Sequence, residues 1–74
     1  MVQGEPPIMF TVDQIDGSTV VTSLDSKGHH EDVEVILDPA EVIIRQWDED
    51  WQEYNVIFLS HQQLNDIKTA MENK

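Results

Sequence analysis

The sequence has no cysteine among its 74 residues. Disulfide bonds and thiolate metal ligands are therefore excluded. A chain of this length is one domain, near the lower limit at which a hydrophobic core is adequate. Small domains without crosslinks often gain stability from self-association. Small size and the lack of crosslinks are therefore compatible with a homo-oligomer.

Basic residues are also scarce. Lys27, Arg45, Lys68 and Lys74 face fifteen acidic residues, which gives a formal net charge of −11. Contacts to phosphate groups depend on lysine and arginine, so direct binding to nucleic acid or to an anionic membrane is disfavoured. Self-repulsion on this scale costs stability. The acidity either serves solubility or attracts a partner with a basic protein surface.

Long apolar runs are missing as well. No stretch approaches the about 20 apolar residues that a membrane-spanning helix needs. The segment from Met1 to Pro7 lacks the basic start and the apolar stretch of a signal peptide. We therefore expect a cytoplasmic protein that does not contact membranes.

Alternation of apolar and polar residues dominates the part of the sequence before residue 60, and this pattern is typical of half-buried strands. Turn signals such as Asp16-Gly17 and Asp38-Pro39 separate the alternating segments. Consecutive strands joined by short turns favour an antiparallel meander. The predicted strands are residues 8–15, 19–24, 33–37, 41–47 and 54–59.

A helix is predicted after the last strand. Ser60-His61-Gln62-Gln63 fits a capping box, with Ser60 as the N-cap and Gln63 at N3. Leu64, Ile67 and Met71 then form an apolar stripe at helical spacing, which we expect to lie across one sheet face. The fold class is therefore α+β: a small antiparallel β-meander of four to five strands with one C-terminal α-helix packed on the sheet. Residues 1–7 are expected to be a flexible lead-in, and residues 8–74 a single domain.

Catalytic motifs are absent from this sequence. It has no cysteine nucleophile, no glycine-rich phosphate loop and no Gly-x-Ser-x-Gly. His29 and His30 lack the spacing of a zinc site, and the acidic residues 48–53 lack the spacing of a calcium loop. A small meander also offers little concave volume for a substrate. We expect no catalytic residue, no metal site and no cofactor, and hence no enzyme.

Two groups of acidic residues are candidates for binding a partner. The first is a turn in which a tryptophan would anchor while carboxylates steer and pair with basic side chains. The second is a set of alternate residues about 6.6 Å apart, close to twice the about 3.4 Å rise of a DNA strand, so it could mimic phosphates. The alternative for both is an ordinary solvated surface. The predicted partner-binding residues are Asp48, Glu49, Asp50, Trp51, Glu53, Asp32, Glu34 and Asp38.

Strands four and five have large apolar residues on both faces, and such strands need cover on both sides. The sheet could curl on itself, or a second copy of the chain could cover it. The residues predicted to mediate self-association are Ile43, Trp47 and Ile57.

The C-terminal half resembles many small uncharacterised bacteriophage proteins in its layout. Residues 42–47 form a strand, an acidic turn follows, residues 54–59 form the next strand, and residues 60–64 begin a helix. The resemblance concerns the layout and assigns no functional residues. It implies a phage-encoded accessory protein in the host cytoplasm, and such proteins are often inhibitors of host enzymes or defence systems. Our first hypothesis is a non-enzymatic protein that inhibits a basic nucleic-acid-handling or defence protein. The alternative is a self-associating structural or particle-associated phage protein whose acidity serves solubility only.

Overall fold

The computed structural model describes residues 9–73 and shows a five-stranded antiparallel sheet followed by one helix. The strands pair in the order β1-β2-β3-β4-β5, so each is hydrogen-bonded to its neighbour in sequence. This arrangement confirms the predicted α+β meander with a C-terminal helix. The expected lead-in over residues 1–7 lies outside the described residues. The elements are β1 (Phe10–Ile15), β2 (Ser18–Ser23), β3 (Val33–Leu37), β4 (Val42–Asp48), β5 (Glu53–Leu59) and α1 (His61–Glu72).

The first hairpin turns at Asp16 and Gly17, as the Asp-Gly pair predicts. Both residues have positive φ, 48° for Asp16 and 83° for Gly17. A two-residue turn with this geometry matches the right-handed twist of the flanking strands, and glycine adopts it without steric cost. The turn fixes the pairing of Ile15 with Ser18 and so sets the register of the hairpin.

The helix begins at the predicted capping box. The Ser60 hydroxyl oxygen accepts the backbone N–H of Gln63 at 3.1 Å, and the Gln63 side-chain oxygen accepts the Ser60 N–H at 3.0 Å. Two backbone donors at the helix start are thereby satisfied. Within the described residues, this twelve-residue helix is too short to cross a membrane.

The apolar stripe of α1 is covered less than expected. The helix meets the sheet mainly along β5, and none of its residues is fully buried. Leu64 is half-buried, whereas Ile67 is 48% exposed and Met71 67% exposed. A single residue, Ser60, joins the edge strand β5 to the helix, so the helix has no length of chain with which to turn back across the sheet.

The sheet is a single layer with two accessible faces. Val42 is the one fully buried hydrophobic residue in the part of the chain that the structure describes. One face has a row of paired apolar residues that crosses all five strands and is flanked by two uncharged rows, and we call these three rows the neutral face. The Asp48–Glu53 pair lies on the same side of the sheet, beyond the row that contains Gln46 and Asn55. The central row is Val12, Val21, Val35, Ile44 and Ile57. The flanking rows are Phe10, Ser23, Val33, Gln46 and Asn55, and Gln14, Thr19, Leu37, Val42 and Leu59.

The opposite face, which we call the charged face, contains Asp13, Glu34 and Arg45 among its apolar residues. Ile43 pairs with Phe58 on it, and Trp47 pairs with Tyr54.

The register corrects the grouping of the predicted self-association residues. Ile43 and Trp47 lie on the charged face, whereas Ile57 pairs with Ile44 on the neutral face. The sequence pattern identified the two faces of each strand, but it did not fix how β4 and β5 align. Because side chains alternate with a period of two, a shift of one residue exchanges the faces. The three residues therefore cannot form one contact surface.

The capping box predicts the effect of Ser60→Ala. Loss of an N-cap serine costs about 1 kcal/mol, so amides of α1 should exchange with solvent roughly fivefold faster. Because the helix contributes no buried residue, β3 and β4 should keep their protection. Hydrogen exchange followed by NMR measures both. Ser26→Ala in the exposed loop between β2 and β3 is the matched control. Unchanged exchange in α1 of the Ser60 variant would show that the cap does not stabilise the helix.

Candidate functional site

The pairing of β3, β4 and β5 brings most of the predicted partner-binding residues to one end of the sheet. Val33 pairs with Gln46, and Asp48 pairs with Glu53, so the residues that precede β3 lie beside the β4–β5 turn. The Gln46 side-chain amide donates to the Glu31 carbonyl oxygen at 3.0 Å and fixes this arrangement. We call residues 31–32 and 48–53 together the acidic end.

A cavity of about 190 Å³ opens beside the acidic end. Its walls come from β2, the start of β3, and the paired strands β4 and β5. It combines three carboxylates with two aromatic rings, a set of groups that can receive a cation. The lining residues are Thr22, Glu31, Asp32, Glu34, Trp47 and Tyr54.

Trp47 and Tyr54 form a cross-strand aromatic pair at the wall of this cavity. Their ring centroids are 5.2 Å apart and the ring planes meet at 76°, an edge-to-face arrangement. The Trp47 indole N–H donates to the Glu49 carboxylate at 3.1 Å. The rings are therefore held in place by the strand register and by the turn.

Arg45 contacts two of the residues that line the cavity, Tyr54 and Glu34. Its guanidinium lies 4.7 Å from the centre of the Tyr54 ring, within the range of a cation–π interaction. Its Nε donates a hydrogen bond to Glu34, and this bond raises the pKa of the Arg45 guanidinium above its ordinary value. One guanidinium of the chain is thus already held between an aromatic ring and a carboxylate.

The acidic turn is organised by its own carboxylates. One Asp48 oxygen accepts the backbone N–H groups of Asp50 and Trp51 at 3.0 and 3.2 Å, and the other accepts the Asn55 side-chain amide at 3.3 Å. Asp48 therefore has a structural role in addition to its charge. Trp51, at the tip, is 75% exposed, the highest value among the large apolar residues described.

Asp38 does not join the other predicted residues. It lies at the opposite end of β3, where its carboxylate accepts the Ser18 hydroxyl at 3.1 Å and the Ala40 N–H at 3.0 Å. Glu34 is paired with Arg45, so Asp32, Glu34 and Asp38 are not a row of equivalent free carboxylates. The structure thus places Asp32 and Glu34 with the turn, and Asp38 apart from it.

Sequence reasoning did not assign Thr22, Glu31 or Tyr54 to a binding site. A signal for the Arg45–Glu34 pair was present, because opposite charges stood on strands predicted to be adjacent. The cavity itself depends on the register of four strands, which the pattern did not specify.

Asp25 organises the loop between β2 and β3, which reaches the same end of the sheet. Its carboxylate accepts the backbone N–H groups of Lys27, His29 and His30 at 3.1, 3.0 and 2.9 Å, and it also contacts the His30 ring at 3.0 Å. These hydrogen bonds, above all that from Lys27, lower the pKa of Asp25. The ionised form of Asp25 therefore holds this loop in shape.

Comparison with protein families identifies residues 11–70 with a family described as Domain of unknown function (DUF8831). The chain belongs to this family. No curated protein and no solved structure matches it. The DUF8831 match runs from β1 into α1, so the cavity, the acidic end and most of both sheet faces lie within the family's domain.

The lowered pKa of Asp25 predicts an acid-sensitive loop. Its ionised form contributes stability fully above the unfolded-state pKa, and this contribution is lost as the pH falls through the lower folded-state value. Titration of the side-chain carboxyl carbons by NMR should show Asp25 ionising below the ordinary aspartate range. Asp25→Asn, which cannot ionise, should lose less stability between neutral pH and about pH 3 than the natural chain loses. An Asp25 pKa at or above the ordinary range would contradict this account.

Proposed function

We propose that this protein is a non-enzymatic interaction module that binds a basic protein surface through its acidic end. An arginine or lysine side chain of the partner would enter the cavity beside Trp47 and Tyr54. The observation that carries the proposal is the cavity itself, because it joins three carboxylates to two aromatic rings.

The charge distribution favours a cationic ligand. Arg45 offsets Glu34, while Glu31 and Asp32 contribute two further carboxylates to the cavity. The neighbouring turn adds the charges of residues 48–53. Glu31 and Asp32 are exposed, so an ion pair with either contributes about 0.2–1 kcal/mol, and an exposed aromatic face adds about 0.5–1 kcal/mol for a cation. Both kinds of interaction are available to one inserted side chain.

The internal Arg45 contact favours arginine over lysine as the inserted residue. Guanidinium groups are planar, stack on aromatic rings and donate to carboxylates in a fixed fork, which an ammonium cannot do. Arg45 already makes both kinds of contact, with Tyr54 and Glu34. A partner's arginine would make the same kinds of contact with Trp47, Glu31 and Asp32.

Trp51 supplies an anchor outside the cavity. Exposed tryptophans that become buried on association often dominate the binding energy, whereas charges at the rim mainly raise the association rate. The backbone at Trp51 is fixed by its hydrogen bond to Asp48. Little backbone entropy is therefore lost at this position when a partner binds.

A protein that itself binds nucleic acid is the partner class that fits this chemistry. Such a protein presents lysine and arginine where phosphates would sit. Occupation of that surface by an acidic chain would compete with the nucleic acid, so the proposed consequence is inhibition. The net charge of −11 supports long-range attraction to such a surface.

Charge reversal at the cavity tests the proposal. The probe is a short oligoarginine peptide, titrated into isotope-labelled protein and followed by NMR. We expect shifts of the Trp47 indole N–H and of residues 31–34, and an affinity reduced about fivefold by Asp32→Lys, since an exposed ion pair contributes up to about 1 kcal/mol.

Asp66→Lys on the exposed surface of α1 is the matched control, because it changes the net charge equally. The control should retain most of the affinity at about 0.1 M salt, where screening limits the interactions of exposed charges to a range of about 10 Å. Equal losses in the two variants, or shifts spread over all acidic residues, would mean that the peptide responds to net charge and not to the cavity.

A further inference from the structure

We infer that the neutral face is the surface on which a second copy of this chain packs, so that two sheets stack face to face. The inference does not depend on the cavity, whose strand residues Thr22, Glu34, Trp47 and Tyr54 lie on the charged face. It rests on the burial deficit of the isolated chain, on the absence of charge from the neutral face, and on the geometry of its central row.

The isolated chain lacks a core. Val42 is fully buried, while Val21, Val35 and Ile44 at the centre of the sheet are only half-buried. A domain of about 60 residues normally buries about 60% of the surface that its unfolded chain exposes. Further burial of these residues requires apolar cover from outside the chain, and a second copy is a partner that is present wherever the chain is.

The distribution of charge also favours a second copy of the chain as the partner of the neutral face. Across the fifteen paired positions of the neutral face there is no charged residue, although 26% of the whole chain is charged. On this side of the sheet a basic partner would find carboxylates only beyond the three rows, in the Asp48–Glu53 pair. Two copies stacked through the three rows bury no charged residue, so the contact itself adds no buried charge to the repulsion between two chains of charge −11.

The row geometry is self-complementary. Val35 on the central strand is the midpoint of the five-residue row, with Val12 at one end and Ile57 at the other. A two-fold axis that lies between the two sheets, parallel to the strands and over Val35, would lay the two rows over each other. It would place Val12 against the partner's Ile57. Stacked sheets pack about 10 Å apart, a distance that aliphatic side chains of this size fill.

The area of the three rows fits a weak dimer. Five strands about 4.8 Å apart, with rows that span about 17 Å, give a projected face of about 400 Å². Two stacked faces bury about 800 Å² on this measure, and Val42 adds nothing because it is already fully buried within the chain. This area is below the about 1,200 Å² at which stable interfaces begin, so the dimer should form in a concentration-dependent way.

The test uses residues that are already exposed on the two edge strands. Val12 is 52% exposed and Ile57 57% exposed on the neutral face, while Ile15 is 52% exposed and Phe58 62% exposed on the charged face. Val12→Lys and Ile57→Lys should abolish dimers. Ile15→Lys and Phe58→Lys are the matched controls, because they lie on the same strands, have similar exposure and add the same charge, and they should leave dimers intact.

Sedimentation equilibrium should give the natural chain and both controls twice the chain mass of 8.5 kDa. The melting temperature of the natural chain should rise with protein concentration, since association stabilises the fold by mass action. Because the melting temperature is measured on the natural chain, it tests the inference even if a lysine variant fails to fold. A natural chain that sediments at 8.5 kDa, an assembly larger than a dimer, or dimers lost equally in the controls would overturn the inference.

Discussion

Backbone pairing in a single-layer sheet is the constraint on which the rest of this structure depends. Five short strands bond only to their sequence neighbours, and the helix that follows adds little cover. Short connections between consecutive strands are therefore enough to form the sheet, but they leave both of its faces exposed. A sheet of this kind can gain stability from apolar contact with a partner. The distribution of charge over the two faces then determines what kind of partner each face can contact.

The two faces have different chemistry, and this difference connects the proposals. On the charged face, Arg45 bonds to Glu34 and lies over Tyr54, and the cavity beside them has unneutralised carboxylates. On the neutral face, apolar residues cross all five strands without a charge among them. Stacking through the neutral face would leave two charged faces pointing outward. The assembly would then present two acidic ends, and a partner with repeated basic sites would gain from bivalent binding.

Local signals predicted the elements of the fold. The Asp16-Gly17 turn and the Ser60–Gln63 capping box are short-range patterns, and both occur as expected. Long-range alignment was not predictable in the same way. The pairing of Trp47 with Tyr54 decides that Ile57 faces away from Ile43, and no local pattern specifies that alignment. The cavity depends on the same alignment, so Asp32 and Glu34 were identified from their spacing, whereas Glu31 and Tyr54 were not.

The central claim is that the two faces of the sheet differ in accessibility in solution. The most direct test is to add a soluble gadolinium complex and measure the relaxation of methyl groups by NMR. The account predicts weak relaxation for the methyls of Val21, Val35 and Ile44, which a second copy would cover. The decisive comparison is between residues of the same edge strands that are similarly exposed in the isolated chain: Val12 and Ile57 on the neutral face should relax weakly, and Ile15 and Val56 on the open charged face strongly. Equal relaxation on the two faces would contradict it.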